Sequence, residues 1–162
     1  MADLTVTITE AVTLNGSSRG STNTLTVSDV DDIYHRIITC PATDGGISGT
    51  TIANFKAAVN TTDGLSAVDI VHAKYIRVTN LDANNAVKLS LQVSNDEDGA
   101  ADFSSTILLE AKKSFIMGSP HDGIQVSDAN ANVITTLVDL ESIIVDPEGN
   151  TVQVELFIAE CV

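Results

Sequence analysis

The chain is 162 residues long, with 22 acidic and 8 basic side chains. Its formal net charge of −14 argues against nucleic acid as a direct partner, since phosphate contacts need clustered Lys and Arg. Aromatic residues make up 4% and Trp is absent, so Val, Ile, Leu and Ala must build the core, and no apolar run approaches the roughly 18 residues of a membrane helix.

Leu4, Val6 and Ile8 alternate with Thr5, Thr7 and Thr9, the period of a strand with one buried face. The opening MADLTVTITEAVTL has neither a basic n-region nor an apolar h-region, so a soluble protein without an export signal is expected. Asn15-Gly16-Ser17-Ser18 and Gly20 mark a turn; STNTLTVSDV and IYHRIITC supply two more strands, the second closed by Pro41. From 41 to 72 the rhythm breaks. Gly45-Gly46, Gly49 and Gly64 punctuate a long connection in which Ile52, Phe55 and Val59 recur at helical spacing, with Thr51 as the candidate cap of one short helix.

The runs KYIRVTN and VKLSLQV, separated by LDANNA, read as an antiparallel hairpin whose Asn and Asp residues hydrogen-bond their own main chain. An acidic segment, NDEDGAADFSS, follows. TILLEAKKSFIMG reads as two short strands on either side of Ala111-Lys112-Lys113, and TLVDLESIIVD and TVQVELFIAE form a final pair around Pro147-Glu148-Gly149-Asn150. Closely spaced turn signals with no βα alternation give an all-β fold. The expectation is a single domain over 1–162, an antiparallel β-sandwich, jelly-roll-like, with the alternative of a barrel.

Reactive chemistry finds little support in the sequence. There is no G-x-S-x-G, phosphate loop, dinucleotide fingerprint or zinc spacing, and His35, His72 and His121 carry no diagnostic local pattern. The oxygen-rich run Asn95-Asp96-Glu97-Asp98-Gly99 with Asp102 invites a Ca²⁺ reading, but it fails the twelve-residue loop pattern, which would place a Glu where Ser105 stands. A solvated acidic loop is the reading retained. Asn15-Gly16-Ser17 and Asn60-Thr61-Thr62 match the glycosylation triplet without a secretory signal to make it matter. Cys40 and Cys161 lie far apart in apolar, strand-like contexts and read as buried, reduced thiols. No catalytic, cofactor-binding or metal-binding residue is nominated.

Taken together, MADLTVTITEAVTLNGSSRGSTNTLTVSDVDDIYHRIITCP, KYIRVTNLDANNAVKLSLQVS, TILLEAKKSFIMG and SIIVDPEGNTVQVELFIAE resemble small virion structural proteins of tailed phages, particularly phages of marine bacteria and cyanobacteria. The likeness covers most of the chain outside 41–72 and is one of style and segment order. It implies β-sandwich subunits that assemble as trimers, either as capsid decoration (cement) proteins bridging capsid subunits or as tail, adaptor or fibre proteins. The implied partners are the chain itself and the major capsid protein or other virion proteins. The implied location is the virion, after synthesis in the host cytoplasm, with no enzyme activity, cofactor, nucleic acid or membrane involved.

The alternative from another class is a carbohydrate-binding or hydrolytic β-sandwich acting on a host surface. The scarcity of aromatic platforms argues against it. For a homotrimer, the terminal strand is the expected contact edge, because Val152, Val154, Leu156 and Ile158 form one apolar face while Phe157 stands on the other with Thr151, Gln153 and Glu155. Those last four are the candidate interface residues.

Overall fold

The computed structural model describes residues 1–43, 49–56, 59, 64, 67–93, 103–118, 124–127 and 137–161. The alternating Thr, Val, Ile and Leu runs form strands throughout, and the described residues contain no helix. In chain order these are β1 (Ala2–Thr9), β2 (Thr13–Leu14), β3 (Ser17–Ser18), β4 (Thr22–Val30), β5 (Asp32–Cys40), β6 (Thr50–Lys56) and β7 (Ala67–Asp69). They continue with β8 (Ala73–Asn80), β9 (Val87–Val93), β10 (Phe103–Leu109), β11 (Ser114–Gly118), β12 (Gln125–Ser127), β13 (Leu137–Asp146) and β14 (Val152–Glu160).

Two sheets stack. One has the order β11-β8-β14-β5, the other β10-β9-β13-β6-β7, with β12 also paired to β13. Setting aside the short β7 and β12, the strands from β5 onward number eight, and the first sheet holds the first, eighth, third and sixth while the second holds the second, seventh, fourth and fifth. That is the double Greek-key order of a jelly roll, so the sandwich expected from the sequence is present. The core lies between the layers: Val152, Val154, Leu156 and Ile158 of β14 face Leu89, Ile143 and Val145 of the opposite sheet's strands, all at 0–1% exposure. Each such side chain contributes about 1.5–3 kcal/mol on the transfer scale.

Three expectations need correction. The short helix over Ile52 and Phe55 is instead β6. Its partner β13 steps from Ile143 opposite Ala53 to Ile144 opposite Thr51, leaving Ile52 as an extra, bulged residue. The bulge brings Ile52 and Phe55 to the core together, so a strand reproduces the i, i+3 spacing of a helix. The hairpin of KYIRVTN and VKLSLQV is an arch: β8 belongs to one sheet and β9 to the other. Both strands carry inward faces that the core absorbs from opposite sides, and the six residues between them cross the gap of about 10 Å between sheets. The final pair, β13 and β14, crosses in the same way. Lastly, β14 is not an edge strand but lies between β8 and β5, its main chain bonded on both sides. The edges of its sheet fall to β5 and β11.

Turn chemistry agrees with the sequence where it is local. Asp82 Oδ1 accepts from the main-chain N–H of Asn84 and of Asn85, each at 2.8 Å, and these bonds hold its carboxyl below the ordinary range. Buried Asn80 donates to the carbonyls of Asn85 and Leu109 and accepts from the Asp82 amide, pinning the arch at its start. Residues 2–30 form an antiparallel ribbon, β1 on β4, tipped by β2 and β3 around Asn15 (φ 51°) and Gly16 (φ 76°). Two successive positive φ values fit a primed turn, which Asn-Gly favours.

Candidate functional site

The ribbon is two-faced. Thr5, Thr7 and Thr9 stand directly opposite Thr26, Thr24 and Thr22, while the alternate positions pair Leu4 with Val27 and Val6 with Leu25. The threonine ladder suits water; the aliphatic row needs a surface. At its root that row is seated on the outer side of the four-stranded sheet, where Val27, Val30, Tyr75 and Ala159 are buried with Leu4, Val6, Leu25, Phe157 and Cys161 packed against them. Gly118 permits the approach, since a Cβ there would stand 3.0 Å from Leu25 Cδ2. Further out the sandwich ends. Every residue from Thr7 to Thr24 is exposed, including Ile8, Val12 and Leu14, the last at 60%.

Beside the seated root, the sheet's outer face is open and organised around Glu155. Its carboxylate takes His35 Nε2 at 2.8 Å through Oε1 and Arg77 Nη2 at 3.0 Å through Oε2. Three strands meet in that cluster, because Phe157 lies opposite both His35 on β5 and Arg77 on β8. The Phe157 ring packs against His35 at 5.8 Å and edge-on to Tyr75 at 6.1 Å, with the Arg77 guanidinium 5.7 Å above it. Exposed Ile33 and Ile37 on β5 and Ile116 on β11 border the cluster, Ile37 at 62% exposure. No described strand pairs with the free edge of β5.

Of the candidate interface residues, Gln153, Glu155 and Phe157 share this face. Phe157 is half-buried within its own subunit, between the ribbon root and the Glu155 cluster. Thr151 precedes β14, where its Oγ1 accepts from the Ala42 amide at 3.3 Å. With Gln153 it lines an open cleft of about 430 Å³, bordered by Thr39, Leu81, Asp82, Ala83 and Lys112. Lys112 Nζ is already bound to the Leu81 carbonyl, so the cleft floor is tied up internally.

Comparison with protein-family models, with curated proteins and with solved structures gives no match. The functional reading therefore draws on the geometry and on the likeness in segment order seen in the sequence.

His72 lies 3.4 Å from Asp69 at a turn, and no group of three metal-ligating side chains occurs among the described residues. Cys40 and Cys161 are both free thiols; Cys40 is fully buried, as expected, and burial raises its pKa, whereas Cys161, expected to be buried too, is partly exposed near the chain end and donates to the Ser28 carbonyl. His121, the acidic run 95–102 and the Asn60 triplet lie outside the described residues. Sequence reasoning missed Ile33, Ile37 and Ile116 and the exposed aliphatic end of the ribbon. The signal for β5 was present in IYHRIITC: Tyr34 and Ile38 serve one face and Ile33 and Ile37 the other, more apolar area than a one-sided strand needs.

Proposed function

We propose that the protein is a structural subunit of a virion, a decoration protein that stabilises the head of a tailed phage by bridging neighbouring capsid subunits. The ribbon carries this reading. A β-ribbon exposed from Thr7 to Thr24, with Ile8, Val12 and Leu14 among its uncovered side chains, suits a partner's surface and offers no reaction centre. Jelly rolls recur in viral capsid proteins and in lectins, so the fold admits both an assembly and a sugar-binding role. Stacking on a sugar requires an exposed ring, whereas no described Phe or Tyr side chain is exposed. Assembly is accordingly favoured. Repetition of one modest contact over a symmetric lattice multiplies its effect without any reactive group.

Electron microscopy of purified particles carrying the protein tests the proposal. The expected result is density repeated across the head lattice; signal confined to the tail transfers the protein to the tail, adaptor or fibre class. Failure to copurify with particles, together with specific retention on host polysaccharide, overturns the virion role.

A further inference from the structure

We infer that the exposed half of the ribbon docks on the open outer face of the four-stranded sheet of a second copy, in a head-to-tail contact that closes into a ring. The inference rests on the reading of the protein as an assembling subunit and names the partner of the surface already described.

Continuity is the first argument. The ribbon's aliphatic row is seated on the outer face of its own sheet at Leu25 and Val27, and its β1 side runs on uncovered at Ile8, opposite Asn23. The same sheet face, beyond its covered part, presents Ile37 and Ile116 to solvent. One half of a matched pair of surfaces is satisfied within the chain; the other half of each is left over. An isolated two-stranded ribbon is only marginally stable in water, so its outer half calls for a support that the described residues do not provide.

Charge is the second argument, and it admits a second copy as occupant. At −14, two copies repel wherever their acidic surfaces meet. Between Leu4 and Ser28, however, the ribbon carries one acid, Glu10, and one base, Arg19. On the outer face of the sheet the charged pair Glu155 and Arg77 likewise cancels. These two surfaces are therefore able to approach each other without the self-repulsion that the rest of the molecule generates.

Reach is sufficient. Eight residues from Thr7 to Leu14, at about 3.3 Å each, extend roughly 25 Å, against roughly 15 Å across four strands spaced about 4.8 Å apart. Since ribbon and sheet face are different patches, the contact is heterologous, and each copy both gives and receives one.

The test is complementation between two defective variants of the full chain, read by light scattering coupled to gel filtration. Ile8→Ser/Val12→Ser/Leu14→Ser damages the ribbon and leaves the sheet face intact; Ile37→Glu does the reverse. All four side chains are exposed, so both variants are expected to keep the wild-type β spectrum. Wild type is expected as a closed oligomer and each variant as a monomer. The equimolar mixture is expected to form pairs and nothing larger, because only one intact ribbon and one intact face remain per pair. A wild-type monomer at every concentration overturns both the inference and the assembling-subunit reading. An oligomer that survives either variant, or a mixture that forms no pairs, overturns the ribbon contact while leaving assembly itself standing.

Discussion

At the scale of single residues, Glu160 shows how the end of β14 is strained electrostatically. Burial raises its pKa, and the charges of Asp32 and Asp69 raise it further, with His72 and a hydrogen bond from the Asp69 main chain acting in the opposite sense. The folded state therefore holds the Glu160 proton more tightly than the unfolded state does. Its contribution is fully present below the unfolded carboxylate range and is lost as pH rises through the folded value, so at neutral pH the ionised group costs stability. Glu160→Gln is expected to raise the melting temperature at pH 7 by on the order of 2 °C, a difference that fades as the pH falls below about 4. Asp146 behaves oppositely. The Thr43 hydroxyl and the Glu148 amide hold its carboxyl below the usual range, so its contribution disappears in acid. That loss is common to wild type and variant and cancels in their difference; a melting-temperature gap independent of pH would remove the electrostatic explanation.

At the scale of elements, the arch between β8 and β9 depends on Asn80. Replacing it with Ala takes this partner from the Leu109 carbonyl at a buried site and from the Asn85 carbonyl and the Asp82 amide at half-buried ones. Urea unfolding is expected to register a loss of about 2 kcal/mol, given roughly 1–3 kcal/mol for a buried group left unsatisfied and less where water can reach it. Asn84→Ala, at an exposed position of the same turn, is expected to stay within about 0.5 kcal/mol of wild type. Equal effects at the two positions would contradict the role given to Asn80. The same arch shows where sequence reading stops. The alternation of VKLSLQV and the Asx bonding of LDANNA were legible because both are local. Pairing was not, since two amphipathic strands joined by six residues satisfy the same pattern side by side in one sheet or face to face across a core. The bulge at Ile52 hid β6 for a related reason: one added residue shifts the period from two toward helical spacing. β14 was read correctly as to its inner face. Its central position was not legible, because pairing on both sides depends on β5 and β8, which are distant in sequence.

At the scale of the molecule, the main core and the ribbon are separable. The large cluster begins at Cys40, with Tyr34 and Ile38 packed against it, and contains no residue of the ribbon. Only the smaller cluster draws on the ribbon, through buried Val27 and Val30 and partly buried Leu4, Val6 and Leu25. Full burial of one such side chain contributes about 1.5–3 kcal/mol, while ordering each backbone residue costs about 1–2 kcal/mol. The ribbon's few seated side chains thus offset only part of the cost of ordering its exposed length, so in a lone copy it adds little net stability. A chain beginning at Val30 is accordingly expected to retain the β spectrum and to unfold in one cooperative urea transition, with a midpoint lowered modestly by the uncovering of Tyr75 and Ala159. Its slope against urea is expected to fall as well, because less surface is exposed on unfolding. In the full chain, amide exchange should be fast from Thr7 to Thr24 in dilute solution and slow along β14, the strand bonded on both sides. Loss of the cooperative transition on removing the ribbon would make it part of the folding unit and contradict its assignment as an arm whose stability comes from the surface it docks on.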